Sequence, residues 1–401
     1  MKRAVLIIAV VACLAGCQQQ NKSISEAKVD ARARWQSARA RVLYGVASEH
    51  LKVGQLNEAR QKSTEALALD PELVEARLLL GKVLIEQGKY SHAIEELRLV
   101  VEAQPAFAHA HYLLGVALEK GRELDLALQS YRKAYTLDTT NISPIIAATE
   151  VMVAQGRLDR ALDYIESYMG EAGSEPAVFE LAGRICAMQK DHTEAAKYYE
   201  VACDLDYKNV RYREALGQEQ FLAGRHVAAS ETLRTLLQNE DYEAPVWVRT
   251  MLGDCYMVMG WSRKARDVYY EITKERSMDA GAWANHAKAS LACNDTGRAI
   301  LSAKKALDIT PGRLDATLVL GYALMQENRH ADAVDVLNRA TAAHPSNDTI
   351  LCLLGRAHEG TGNNAEATRC YVRALRINPD NPVAKQLLKV TRDNEVSSAG
   401  E

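Results

Sequence analysis

The 401-residue chain carries few residues whose types and spacing suit chemistry. Gly360-Thr361-Gly362-Asn363-Asn364-Ala365 has the glycine spacing of a dinucleotide-binding turn. A phosphate cradle needs a strand before those glycines and a helix after them, so that backbone N–H groups converge on the pyrophosphate. The residues ahead of Gly360 do not read as a strand, and the segment falls in a turn between two helices. The ten histidines are scattered. His109 and His111 stand two residues apart and point to different sides of a helix, which rules out chelation by that pair. There is no Cys-x-x-Cys, no Gly-x-Ser-x-Gly and no His-Glu-x-x-His. The sequence therefore predicts no enzyme, no cofactor and no metal. Six cysteines follow Cys17, namely Cys186, Cys203, Cys255, Cys293, Cys352 and Cys370. Cys186 and Cys203 would form a bridge if their α-carbons lay within about 7 Å; the favoured expectation is that all six are small buried hydrophobes.

Cys17 itself belongs to an address. Lys2 and Arg3 precede an apolar run from Ala4 to Ala12, then Leu14-Ala15-Gly16-Cys17 and polar Gln18-Gln19-Gln20. The run is short for a bilayer span and reads as a signal peptide over residues 1–16. Small residues ahead of the cysteine resemble the bacterial lipobox, which implies lipidation of the Cys17 thiol and cleavage before it. Several acyl chains give stable anchoring, at roughly 0.8 kcal/mol per buried methylene. Residues 17–39 are expected to hold the anchor, a tether and the start of the first helix, with Ser23-Ile24-Ser25-Glu26 as a capping box. Between Lys28 and Lys62 eight Lys/Arg face three Asp/Glu, a basic stretch beside the lipid. Gln18 in place of Asp favours the outer membrane of a double-membraned bacterium, facing the periplasm.

These residues need elements to hold them, and the composition indicates helices. Aromatic residues make up 6% of the chain and proline nine residues, while Ala and Leu recur throughout. A net charge of −3 lacks the basic excess of a nucleic-acid binder.

The strongest pattern is a period of 34 residues. Pro71 and Pro105 are 34 apart, as are Pro311, Pro345 and Pro379. That register gives ten units over 40–381, beginning at Ala40, Val74, Ala108, Ile142, Pro176, Val210, Val246, Ala280, Leu314 and Asp348, with one step of 36 at Val210. The twentieth residue of every unit is alanine, from Ala59 to Ala367. The eighth is always small, and these two positions are expected to let the paired helices approach. The twenty-fourth is usually large, and glycines near the fifteenth end the first helix. Residues 382–394 read as a capping helix with Val383, Leu387 and Leu388 on its apolar face, followed by a disordered tail over 395–401.

Length, small positions, plug, turn and closing proline together resemble the tetratricopeptide repeat. The resemblance implies an all-α, right-handed superhelical solenoid of about ten helix–turn–helix repeats. It also implies a groove lined by the first helices, with positions 2, 5, 9 and 12 facing a protein partner. Carried onto this sequence, those positions give Tyr44, Leu78, Lys82, Tyr112, Ile146, Glu150, Glu180, Arg184 and Trp247. Members that clamp a chaperone's C-terminal carboxylate use Lys and Asn at positions 5 and 9. Tyr44/Ser48, Leu78/Lys82 and Tyr112/Val116 stand there instead, so the clamp is missing. The lipoprotein features and the repeat together resemble envelope lipoproteins of pilus and secretion assembly, which implies a scaffold for an envelope complex. Two rivals share the architecture: a component of exopolysaccharide export machinery and an adaptor for cell-wall enzymes.

Overall fold

A computed structural model describes residues 28–172, 175–239 and 241–398; the predicted signal peptide and Cys17 lie outside them. The described residues are helical throughout, without strands. A first helix spans residues 28–52 and pairs with Leu56–Leu69. Further pairs run Val74–Glu86 with Tyr90–Ala103, Ala108–Lys120 with Leu124–Leu137, and Ser143–Ala154 with Leu158–Ala172. Then follow Pro176–Met188 with His192–Leu205, Val210–Leu222 with His226–Leu237, Val246–Val258 with Ser262–Glu275, and Ala280–Ala292 with Thr296–Ile309. Leu314–Gln326 with His330–Ala343 and Asp348–Gly360 with Asn364–Ile377 complete the ten pairs, and Pro382–Ser398 follows. The members of each pair are called helix A and helix B below. No helix among the described residues is long and apolar enough to cross a membrane.

The chain divides into two compact units, Met1–Ile185 and Cys186–Glu401. Within each, a helix packs on its predecessor and its successor, and helices A of neighbouring repeats also touch. The alanine at position 20 is fully buried in all ten repeats. The partner of the small residue at position 8 differs from the expectation, however. A Cβ on Gly115 would lie 2.6 Å from the Tyr131 ring, on Gly253 2.5 Å from Tyr269, and on Gly355 2.3 Å from Tyr371. Position 8 therefore receives the plug at position 24. Its size complements the plug in nine repeats, as where Ala287 accompanies Ala303 and Gly217 accompanies Leu233; Thr149 with Ile165 is the exception.

Position 15 is left-handed in every repeat. Glycine holds it in six, with φ from 71° to 76° across Gly54, Gly88, Gly156, Gly224, Gly260 and Gly362. Arg122, Lys190, Asn294 and Asn328 hold it elsewhere, with φ of 69°, 65°, 58° and 57°. The reversal lets the next N–H reach back to a carbonyl five residues earlier, as in Lys89 to Leu84 at 2.8 Å and Glu123 to Leu118 at 2.8 Å. Gly362 plays this role in the glycine-rich segment, so that segment is a helix-ending turn.

The inter-repeat turn has its own fastening. Position 4 donates to the carbonyl six residues back, through Arg77 to Pro71 at 2.9 Å, Arg213 to Tyr207 at 2.7 Å and Trp283 to Ser277 at 2.8 Å. A ring nitrogen of His111 makes the corresponding bond to Pro105 at 3.0 Å.

Two details at the C-terminus correct the sequence reading. Val383 is 53% exposed, and the buried face of the last helix is Ala384, Leu387 and Leu388 with Thr391. Those four follow helical spacing, which leaves Val383 about 100° off the face. The expected tail from residue 395 is helical as far as Ser398; no Gly or Pro interrupts the chain before Gly400.

Candidate protein-binding face

In the first unit, helices A present positions 5 and 9 at regular intervals along the stack. Leu78, Tyr112 and Ile146 occupy position 5 of consecutive repeats, and each is half-buried. Lys82 and Glu150 occupy position 9 and are exposed. Because the repeat is 34 residues, Glu150 and Arg184 fall on the same position of neighbouring helices, and an Arg184 guanidinium nitrogen donates to Glu150 at 2.9 Å. Glu180 lies 3.9 Å from Arg184 on the same helix. Burial pushes the Glu180 carboxyl above its ordinary range; Arg184 opposes this and the Glu150 charge adds to it.

Tyr112 joins this charged end to the aromatic part of the face. Its ring lies 6.4 Å from His109 at an interplanar angle of 19°, and 5.7 Å from Tyr131. Burial raises its hydroxyl pKa, with Glu119 and Glu150 contributing. Burial lowers the pKa of His109, and the Lys82 charge lowers it further. Lys82, His109, Tyr112, Glu150 and Arg184 thus form one electrostatically connected row. The ion pair in it is half-exposed and contributes at most about 1 kcal/mol. Its effect lies in holding charge signs in fixed order beside the apolar Leu78 and Ile146.

Not every expected residue joins the row. Tyr44 packs half-buried against a cluster of Ala40, Ala66, Leu73 and Ala76. Trp247 belongs to the second unit, where its side chain is 41% exposed. His109 and Tyr131 were missing from the expected groove. Their signal was available, since His109 and Tyr112 are three apart on one helix, and Tyr131 is the plug beneath them. Its hydroxyl donates to Glu119 at 2.8 Å.

Cys203 is a free half-buried thiol and therefore holds no bridge to Cys186. Burial pushes Cys203, Cys255, Cys352 and Cys370 up to about 11. Among the described residues no three His, Cys, Asp or Glu side chains are grouped to hold a metal ion.

One tetratricopeptide repeat family matches residues 44–106, 78–142 and 152–209, and a second matches 290–348 and 324–390. The chain is a tetratricopeptide repeat protein.

As a tetratricopeptide repeat protein, this chain has the architecture of a protein–protein interaction scaffold. It is 25% identical over 231 residues to mouse (Mus musculus) superkiller complex protein 3, covering 56% of this chain and 15% of that protein. It is 25% identical to a TPR repeat-containing protein of Treponema pallidum, over 54% of this chain and 26% of the relative. Type IV pilus assembly protein PilF of Pseudomonas aeruginosa is 28% identical over 137 residues, which cover 34% of this chain and 54% of PilF. The repeat protein thus spans well under two thirds of each of these relatives. Among solved structures, YrrB, described as a TPR protein with an unusual peptide-binding site, has a TM-score of 0.42 at 19% identity. It covers 47% of this chain and 96% of its own. The P58(IPK) TPR domain covers 90% of this chain and 99% of its own, with a TM-score of 0.34 at 14% identity.

Proposed function

We propose that this chain is a lipid-anchored periplasmic scaffold that assists assembly of an envelope complex of the pilus or secretion type. The observation that carries the interaction half is the row from Lys82 to Arg184, beside Leu78 and Ile146. A partner segment lies along it, with apolar side chains on Leu78, Tyr112 and Ile146 and charged groups matched to Lys82 and Glu150. The envelope half is supported by Leu14-Ala15-Gly16-Cys17 and by the likeness to the pilus assembly protein PilF. Lipid on Cys17 then holds the array at the outer membrane, within reach of the machinery it serves.

The test uses crosslinking with mass spectrometry in intact cells to identify the partner, then recapture by purified chain. Tyr112→Asp with Ile146→Asp abolishes recapture while leaving helical content unchanged; undiminished capture overturns the assignment of the face. Metabolic labelling with a fatty acid, lost in Cys17→Ser, checks the anchor separately. Deletion that abolishes secreted polymer while assembled pores persist would instead point to polysaccharide export.

A further inference from the structure

The ten repeats serve as controls for one another, and the eighth departs from the rest at one buried place. Position 7 of helix A is apolar in nine repeats, as in Leu80, Leu114, Leu216, Leu252, Leu320 and Leu354. In the eighth it is His286, 5% exposed. The same repeat carries Ala303 as its plug, where the neighbouring repeats carry Tyr269 and Leu337. A ring nitrogen of His286 lies 2.8 Å from Ser302 Oγ on helix B. Exchange of the Leu252/Val268 and Leu320/Val336 pairs of the adjacent repeats for a hydrogen-bonded pair, beside a shortened plug, brings no gain in packing. At the equivalent place between the third and fourth repeats a cavity of about 650 Å³ is walled by Asp125, Arg132, Arg157 and Arg160; between helix B of the seventh repeat and both helices of the eighth, beside His286, the cavity is about 570 Å³. That volume lies within the roughly 300–1,000 Å³ range of ligand pockets.

The lining sorts by chemistry. Tyr270, Trp283 and His286 supply aromatic surface, with the His286 ring 5.5 Å from Tyr270 and 6.3 Å from Trp283. Leu301, 70% exposed, adds an apolar rim. Arg266, Arg298 and Lys305 bring three positive charges against Asp267. Arg266 pairs with Asp267 at 2.9 Å, and Arg298 with Asp295 at 3.2 Å. Lys305 holds no ion pair with a described residue, so the rim keeps an uncompensated positive charge. Burial, with Arg266 and Arg298, lowers the His286 pKa, so the floor is uncharged at neutral pH.

From this geometry we infer that the pocket is a second binding site, for an acidic peptide segment bearing an aromatic side chain. The aromatic ring stands against Tyr270, Trp283 and His286, and the flanking carboxylates meet Lys305 and Arg298. This site is separate from the row on the first unit and does not depend on the function proposed there.

The probe is a capped pentapeptide of one phenylalanine flanked on each side by two glutamates, titrated calorimetrically into the full chain. Saturable one-to-one binding is expected, weakened at least about tenfold when alanine replaces the phenylalanine or glutamines replace the glutamates. Tyr270→Ala, at an exposed wall residue of the pocket, removes part of the aromatic surface and weakens binding at least about tenfold. The exposed substitution Lys305→Glu, which leaves the core untouched, weakens it at least about tenfold. Tyr112→Asp with Ile146→Asp leaves it unchanged. Absence of binding at millimolar peptide overturns the proposal. So does equal affinity for the alanine peptide, retention of binding in Lys305→Glu, or loss in the first-unit variant instead.

Discussion

Gly115 lies directly beneath the ring of Tyr131: a Cβ on the glycine would stand 2.6 Å from ring carbons Cδ1 and Cε1. The ring is fully buried, and its hydroxyl is fixed by Glu119 at 2.8 Å. It has no room to retreat. Gly115→Ala gains about 1 kcal/mol of helix propensity but incurs overpacking of about 1–3 kcal/mol. A lower melting temperature on circular dichroism is therefore expected. Gly45 is the control, because a Cβ there meets nothing within 4 Å, and Gly45→Ala stabilises by up to about 1 kcal/mol.

Arg122 and Lys190 hold a left-handed conformation with φ of 69° and 65°. A Cβ in that region costs roughly 1–2 kcal/mol, part of which is offset by the greater freedom of glycine in the unfolded chain. Arg122→Gly and Lys190→Gly each raise stability by about 0.5–1 kcal/mol. Denaturant unfolding checks this, and a fall in stability for both variants would contradict the strain.

These two residues also mark where sequence reading stops. The repeat was legible because ten alanines and a period of 34 recur in composition. A left-handed backbone is visible in sequence only where glycine or asparagine declares it, and arginine or lysine conceals it. The contact between positions 8 and 24 was hidden for another reason. Both positions looked conventional separately, and only their complementary sizes identify them as partners. Glu150 and Arg184 were legible as like positions of consecutive repeats, whereas Tyr44 stood at an equally good position and packs into the core. The His286 pocket draws its walls from two repeats, so no single unit contains its pattern.

His286 makes stability depend on pH. Its native pKa is lowered by burial, then by Arg266 and Arg298, against Asp295 and Asp267. Below the ordinary histidine value of about 6.5, the unfolded chain binds a proton that the native chain resists. Stability is then lost as pH falls from 7 toward 5. His286→Leu flattens that part of the profile, measured as melting temperature against pH. An unchanged slope would remove His286 as a contributor; His109, lowered mainly by burial, adds in the same direction.

With pKa values of about 11, Cys203, Cys255, Cys352 and Cys370 are about one part in a thousand thiolate at pH 8. Ellman's reagent should therefore react slowly with these four thiols in the native chain and rapidly in the unfolded one. The unfolded count should be the same with and without prior reduction.

The fastening of the inter-repeat turn has a mechanical consequence. Arginine, histidine and tryptophan all make it, each to a carbonyl six residues back. The extensive helix contacts within each unit join only sequential or next-but-one helices. A load applied along such a unit meets a series of small independent clasps and no single large lock. Under tension it should yield hairpin by hairpin, in a sawtooth of similar steps, with each released hairpin free to snap back once the pull relaxes.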